Sequence, residues 1–142
     1  MSQQPATGVV MSLVSAPQLK TQVTHGPSGA TLPTEAPKDN GGTGGSFSPT
    51  DLVATALASC VVTTMHLVAG KEGFTLGEVR ATVEKRMTPP PRKIGELVLS
   101  ILMPSGLVPE QRAMLEKIAH ECPVARSLHP EVKVTASFGY PD

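Results

Sequence analysis

What the chain has little of narrows the classes of function open to it. Tryptophan is absent, and aromatic residues make up only 3% of the sequence, so a platform for stacking single-stranded bases is not expected. Twelve basic and twelve acidic side chains give a formal net charge of zero, so no overall positive potential attracts nucleic acid or an anionic membrane. We therefore expect neither nucleic acid nor a membrane as a partner.

Motifs for cofactors and metals are missing as well. The sequence contains no P-loop, dinucleotide fingerprint or nucleophile elbow, and the glycine-rich stretch 38–47 lacks the Lys-Ser/Thr pair of a phosphate loop. The candidate zinc ligands are Cys60, His66, His120 and Cys122. Cys60 and His66 are six residues apart, about 240° around a helix axis, which does not suit a shared metal. We predict no cofactor and no metal.

The chain starts without the basic and apolar segments of a secretion signal, so we expect a cytoplasmic protein. Its two cysteines are Cys60 and Cys122, which lie 62 positions apart. In a reducing compartment, such a pair is more often catalytic, redox-sensing, metal-binding or incidental than a permanent disulfide. The chemistry of these two thiols is therefore the main question that the sequence raises.

Hydropathy patterns predict an α+β fold with antiparallel sheets in a single domain spanning residues 1–142. Residues 1–7 are predicted to be a disordered tail, and residues 38–47 a flexible glycine-rich loop. The β-prone segments, from their composition and alternation, are 9–14, 19–23, 30–34, 79–84, 96–101 and 132–138. The first three predict an antiparallel meander, the next two a hairpin, and the last a final strand. Segments 109–120 and 123–128 are predicted to be helices.

A long helix is predicted from Pro49 to about residue 69. Ser48 is suited to the N-cap, Pro49 to the first helical position and Asp51 to a capping box, and Gly70 is suited to the C′ position. Residues 52–69 contain no charged side chain, and 18 helical residues span about 27 Å, close to a thin membrane. Interspersed polar residues favour a buried helix instead. One small sheet covers only one face, so we predict a homodimer.

The two cysteines differ in their local surroundings. Cys60 lies about three turns inside the helix, where the helix dipole has faded, and an apolar setting raises a thiol pKa. Burial as an inert small side chain therefore remains open for it. Cys122 precedes Pro123 at the N-cap of a short helix, where unpaired backbone N–H groups favour an anion. Local physics makes Cys122 the better intrinsic thiolate, with Arg126 one turn further on as a source of positive charge.

Two segments carry a resemblance to a known family. They are 47–60, FSPTDLVATALASC, and 119–124, AHECPV. Together they resemble the OsmC/Ohr family of osmotically inducible and organic hydroperoxide resistance proteins, and the predicted order of elements is similar from about residue 8 onward. The resemblance implies an OsmC-like fold, an intertwined homodimer whose long central cysteine helices are buried between sheets, with active sites at the subunit interface.

The same resemblance implies a thiol peroxidase acting in oxidative or osmotic stress defence. Cys60 matches the peroxidatic cysteine, which attacks an organic hydroperoxide and becomes a sulfenic acid. Cys122 matches the resolving cysteine, which forms a Cys60–Cys122 disulfide that an external dithiol reductant reopens. The family chemistry needs no cofactor and no metal.

Two positions depart from the family pattern. The peroxidases of the family use an N-terminal arginine and a glutamate ten residues before the first cysteine, whereas this chain has no arginine before Arg80 and has Thr50 at the second position. The cation that activates Cys60 is therefore left open among Lys20, Lys38, Arg86 and Arg126. Two alternatives also stay open: an OsmC-like module that senses redox state or binds an apolar ligand without turnover, and a structural dimer with two inert cysteines.

Overall fold

The computed structural model describes residues 8–142, so the predicted tail at 1–7 lies outside the described residues. The chain divides into two compact units, an N-terminal unit that ends at Pro49 and a C-terminal unit from Thr50 to Asp142. The prediction of a single domain over 1–142 stays a prediction.

The N-terminal unit contains the predicted meander. Its strands are β1 (Met11–Ala16), β2 (Lys20–His25) and β3 (Thr31–Glu35), and they pair antiparallel in the order β1-β2-β3. Val23 lies opposite Leu13 on one side and Leu32 on the other, so an apolar row crosses all three strands. Leu13 and Leu32 nevertheless remain exposed. The meander prediction is confirmed.

The glycine-rich loop that follows is held by specific hydrogen bonds. It begins with a 3₁₀ turn, Lys38–Asn40. The buried carboxylate of Glu35 then accepts hydrogen bonds from the Thr43 hydroxyl at 2.7 Å and from the Gly45 backbone N–H at 2.7 Å. These two bonds, with Lys20 at 3.7 Å, hold the pKa of Glu35 below its usual value. The carboxylate at the end of β3 therefore ties down the loop.

The C-terminal unit begins with the predicted long helix, α1 (Pro49–Lys71). Pro49 as its first residue is confirmed. The predicted end is wrong, because Gly70 lies inside the helix and the left-handed residue is Gly73, at φ 83°. A helical glycine costs only about 1 kcal/mol. Ending at Gly73 lets the Phe74 N–H bond to Ala69 O at 3.0 Å while the Phe74 side chain packs on the core.

The sheet of this unit is mixed rather than antiparallel throughout. Strands β4 (Arg80–Met87) and β5 (Ile94–Leu102) form the predicted antiparallel hairpin, whereas β6 (Lys133–Gly139) pairs parallel to β5. The connection between β5 and β6 passes through three helices and returns the chain to the same end of the sheet, which a parallel pair requires. The expectation of purely antiparallel sheets is therefore wrong for β6.

The predicted helix 109–120 is divided into two. The structure has α2 (Pro109–Glu116) and α3 (Ile118–Glu121), followed by α4 (Pro123–Ser127). Leu115, Ile118 and Ala119 are buried on this helical segment. The break therefore keeps the apolar side chains of both pieces in the same core.

The core lies on one face of α1. The buried side chains of this helix are spaced by three or four residues and form one stripe, Ala54, Leu57, Val61, Met65 and Ala69. Leu67, on another face, is 56% exposed. By length and mean hydropathy α1 could cross a membrane, a test that core helices also pass. The chain thus covers one side of an apolar helix, as expected for one small sheet, and the homodimer stays a prediction.

Candidate active site

The fold brings the two cysteines together. Cys60 lies in the middle of α1, and Cys122 lies between α3 and α4. Although 62 positions separate them in the sequence, their side chains are hydrogen-bonded to each other. Both are free thiols, and Cys122 is 1% exposed whereas Cys60 is half-buried. Cys60 is therefore the more accessible sulfur and Cys122 the one shielded behind it.

Pro123 accounts for the local structure around Cys122. A proline cannot continue α3, but it fits the first position of α4, so Cys122 adopts an extended conformation at φ −65° and ψ 158° as the N-cap of α4. The Cys122 N–H still donates to Ile118 O at 3.0 Å, and its carbonyl accepts from Arg126 N at 3.0 Å. The predicted N-cap position is confirmed. Both backbone bonds fix the place of the sulfur.

Three groups contact the sulfur of Cys60. The Val124 backbone N–H, in the first turn of α4, donates a hydrogen bond to it, and the Cys122 side chain gives a second contact. The Thr64 hydroxyl lies 3.9 Å from Cys60 Sγ. All three are neutral groups that can donate a proton in a hydrogen bond.

These contacts set the two thiols apart. Burial acts to raise the pKa of Cys60, but the hydrogen bonds from Val124, Cys122 and Thr64 outweigh it, and the pKa lies below its ordinary value. Burial raises the pKa of Cys122, and its neighbour Cys60 raises it further, against the opposing effect of the α4 amides. Of the two thiols, Cys60 is thus the one whose surroundings favour the thiolate.

The sequence-based assignment of Cys122 as the better thiolate is therefore wrong. It correctly placed the free N–H groups of α4 beside Cys122. It could not show that the Val124 N–H acts on Cys60 as well as on Cys122, or that Cys122 is the more deeply buried of the two. Tertiary packing, rather than the local helix end, decides which sulfur carries the charge.

The candidate cations within the C-terminal unit have other partners. Arg86 pairs with Glu84 at 3.0 Å and with Glu96 at 3.2 Å. Arg126 donates from Nε to the Glu121 carbonyl at 2.7 Å. Neither guanidinium contributes to the pKa of Cys60. In this unit the thiolate is therefore favoured by neutral donors, while Lys20 and Lys38 belong to the N-terminal unit.

A lysine that the sequence analysis missed contacts the start of α1. Lys85 Nζ lies 2.8 Å from Thr50 Oγ1 and 2.8 Å from Asp51 Oδ1. Asp51, predicted for a capping box, thus forms an ion pair. Lys85 shares the half-buried face of β4 with Val83 and Met87. A lysine at an inward position of an alternating strand was the signal that could have identified it.

The described residues also form a groove that does not include either cysteine. A groove of about 430 Å³ is lined by Thr50, Lys93, Ile94, His129, Glu131 and Val132. Lys93 and Glu131 form an ion pair across it, and the Glu131 N–H donates to His129 Nδ1 at 3.0 Å. Within residues 8–142, no group of three or more His, Cys, Asp or Glu side chains could hold a metal ion.

The sequence matches the model of a known protein family. The model of a family described as OsmC-like protein matches residues 42–137, which include both cysteines. No curated protein matches the sequence.

Solved structures match over nearly the whole chain. A Psychrobacter arcticus structure, described as a candidate osmotic stress induced and detoxification response protein, is 32% identical, covers 97% of this chain and 99% of its own, and has a TM-score of 0.85. An organic hydroperoxide resistance protein OsmC from Legionella pneumophila is 24% identical over 96% and 99% of the two chains, with a TM-score of 0.76. One from Elizabethkingia anophelis is 17% identical over 97% and 99%, with a TM-score of 0.75.

Proposed function

Because this chain belongs to the OsmC-like protein family, we propose that it is a cysteine-based peroxidase that reduces organic hydroperoxides to alcohols in stress defence. The family membership confirms the resemblance found in the two cysteine segments. One observation carries the proposal: the fold brings the more accessible cysteine, Cys60, whose pKa is lowered, against the buried Cys122, whose pKa is raised. A reactive thiolate beside a second thiol is the arrangement that a two-cysteine peroxidase needs.

The first step consumes the thiolate of Cys60. Its sulfur attacks the terminal oxygen of the hydroperoxide, the O–O bond breaks, and the alkoxide leaves with the bonding electrons and takes up a proton to become the alcohol. Cys60 is left as a sulfenic acid, so the sulfur is oxidised by two electrons and the peroxide is reduced by two. The apolar side chains packed around Cys60 favour an alkyl peroxide over a small polar one.

The second step uses Cys122. Its thiolate attacks the sulfur of the sulfenic acid, hydroxide leaves and is protonated to water, and the Cys60–Cys122 disulfide forms. The existing side-chain contact between the two cysteines supports this step. An external dithiol reductant then reopens the disulfide by thiol exchange, for which the cytoplasm, our expected location, provides reducing conditions.

We also propose that the protein acts as a homodimer. The exposed apolar surface of α1, including Leu67, is one observation in favour. Met11, Leu13 and Val14 on β1 are also exposed, which leaves apolar side chains of the N-terminal unit without cover. Exposed apolar side chains of this kind, on either unit, are expected where another subunit covers them. Light scattering at micromolar concentration should give twice the mass of the chain, and a monomer mass would contradict the proposal.

A redox-sensing or ligand-binding module without turnover is the second candidate. It is favoured by the neutral donors around Cys60 and by Thr50, which stands where the family peroxidases have a glutamate. Such a module would form the disulfide reversibly but would not cycle with a dithiol. An apolar ligand that co-purifies with the protein would also favour it.

Single-turnover oxidation tests the proposed function. The reduced protein is mixed with cumene hydroperoxide in a stopped-flow instrument, and both free thiols and alcohol product are measured, with Cys60→Ser as the control. We expect loss of both thiols, one equivalent of alcohol and a disulfide seen by mass spectrometry. Thiol loss no greater than in Cys60→Ser would refute the enzymatic proposal. Oxidation without repeated turnover in the presence of a dithiol would favour the sensor.

A further inference from the structure

One contact of the reactive sulfur comes from the helix that carries it. Thr64 lies one turn after Cys60 on α1, and its hydroxyl oxygen is 3.9 Å from Cys60 Sγ. Residues four apart on a helix are stacked on one face, and each side chain leans toward the helix N-terminus. The Thr64 side chain is therefore directed over the turn that contains Cys60. Both side chains are half-buried, so water competes only in part for this contact.

We propose that Thr64 is a further active-site residue whose hydroxyl donates a hydrogen bond to the Cys60 sulfur and thereby favours the thiolate. The proposal deepens the proposed function, on which it rests for its role in peroxide reduction. A hydroxyl can rotate to donate to a thiolate and can accept once the sulfur carries a proton. Neither Arg86 nor Arg126 acts on Cys60. Each neutral donor therefore contributes more to stabilising the Cys60 thiolate than it would beside a nearby cation.

A purely structural role for this threonine makes a different prediction. Threonine hydroxyls inside helices commonly bond back to the carbonyl four residues earlier, which affects the helix and not a thiol. Here the contact is with the side chain of residue 60. The adjacent Thr63 has the same chemistry on the same helix but is exposed. Thr63 therefore serves as the matched control for a change that alters helix propensity alone.

The other groups that act on Cys60 limit how far its pKa can change when the Thr64 hydroxyl is removed. The titratable group that faces it in the described part of the C-terminal unit is Cys122, and the Val124 N–H is the second remaining donor. Loss of the Thr64 hydroxyl removes one donor of three and leaves the others in place. At 3.9 Å the bond to sulfur is long, so we expect the apparent pKa of Cys60 to rise by roughly half a unit to one unit.

The test measures the reactivity of Cys60 without any peroxide. Thr64→Val, which keeps the side-chain shape, and Thr64→Ser, which restores the hydroxyl, are compared with Thr63→Val. Iodoacetamide labelling of the Cys60 peptide is followed by mass spectrometry from pH 5 to 10. Below the midpoint we expect about three- to tenfold slower labelling in Thr64→Val, recovery in Thr64→Ser, and no change in Thr63→Val. If Thr64→Val does not fold, Thr64→Ala takes its place.

The outcomes separate this inference from the proposed function. An unchanged pH midpoint in Thr64→Val overturns the inference, even if the wild-type protein reduces cumene hydroperoxide. A raised midpoint that Thr64→Ser reverses supports it, even if no peroxide is turned over. A raised midpoint that Thr64→Ser leaves uncorrected also overturns it, because the cause is then the change in packing and not the lost hydroxyl.

Discussion

Replacing Cys122 separates its role as a hydrogen-bond donor from its role as a resolving thiol. Cys122→Ala removes both the donor to Cys60 and the second sulfur, whereas Cys122→Ser removes the sulfur but keeps an O–H group at the same place. Neither variant can form the Cys60–Cys122 disulfide. A difference between the two in the reactivity of Cys60 therefore reports the hydrogen bond alone.

The expected change in the pKa of Cys60 follows from the strength of the hydrogen bond that Cys122 donates to it. A hydrogen bond to a charged group contributes about 1.5–3 kcal/mol, and a thiol is a weak donor, so we take the lower end. About 1.4 kcal/mol corresponds to one pKa unit. We therefore expect Cys122→Ala to raise the pKa of Cys60 by about one unit, and Cys122→Ser to leave it low. At a pH below both midpoints, the alanine variant would hold about tenfold less thiolate.

Labelling kinetics measure this directly. The rate of iodoacetamide reaction with Cys60 should rise with pH and reach a plateau above the pKa, because only the thiolate reacts. The curve of Cys122→Ala should be displaced to higher pH relative to the wild type and to Cys122→Ser. Coinciding curves for the alanine and serine variants would refute the reasoning, since the Cys122 side chain would then have no part in favouring the Cys60 thiolate.

Three further predictions concern the core, the exposed face of α1 that carries Leu67, and the hydrogen bonds of Glu35 to the glycine-rich loop. Leu57→Ala, at a fully buried position, should lower the free energy of unfolding by about 2.7–5 kcal/mol in urea titrations, whereas Leu102→Ala, at a 62% exposed position, should change it by less than about 0.5 kcal/mol. Leu67→Glu should shift the light-scattering mass from dimer to monomer, and an unchanged dimer would exclude this face from the interface. The pKa of Glu35 is lowered in the folded state from 4.5, so its contribution to stability is present above about pH 4.5 and is lost as the pH falls through the folded-state pKa. Thermal unfolding should therefore show a lower melting temperature for Glu35→Gln at pH 7, and a gap that did not narrow toward pH 3 would contradict this.

Local sequence signals predicted most of the elements of the fold. Alternation identified the N-terminal meander and the β4–β5 hairpin, and Pro49 marked the first residue of α1, because each feature depends on residues close together in the chain. The parallel pairing of β5 with β6 was missed because it depends on the path of the three intervening helices. The end of α1 was misplaced for a similar reason, since the tertiary contact of Phe74 helps to choose Gly73 over Gly70.

The site was predictable in its parts but not in its electrostatics. Cys122 was correctly placed at the start of α4, and the cysteine motifs identified the family, yet the sequence could not show that the Val124 N–H also acts on Cys60. Thr64 and Lys85 were missed because single threonines and lysines give no motif. The spacing of four residues after Cys60 and the inward position on β4 were the available signals, whereas the contact of Lys85 with the start of α1 depends on the tertiary fold.

The contact between the two sulfurs also gives an order to the proposed reaction. Burial and the neighbouring Cys60 raise the pKa of Cys122, whereas the amides of Ala125 and Val124 act to lower it. When a peroxide converts the Cys60 thiolate into an uncharged sulfenic acid, the repulsion from Cys60 is lost but the amides remain. The pKa of Cys122 should then fall, so that Cys122 becomes a better nucleophile once Cys60 has been oxidised. In the proposed reaction Cys60 therefore reacts first, and its oxidation prepares Cys122 to form the disulfide.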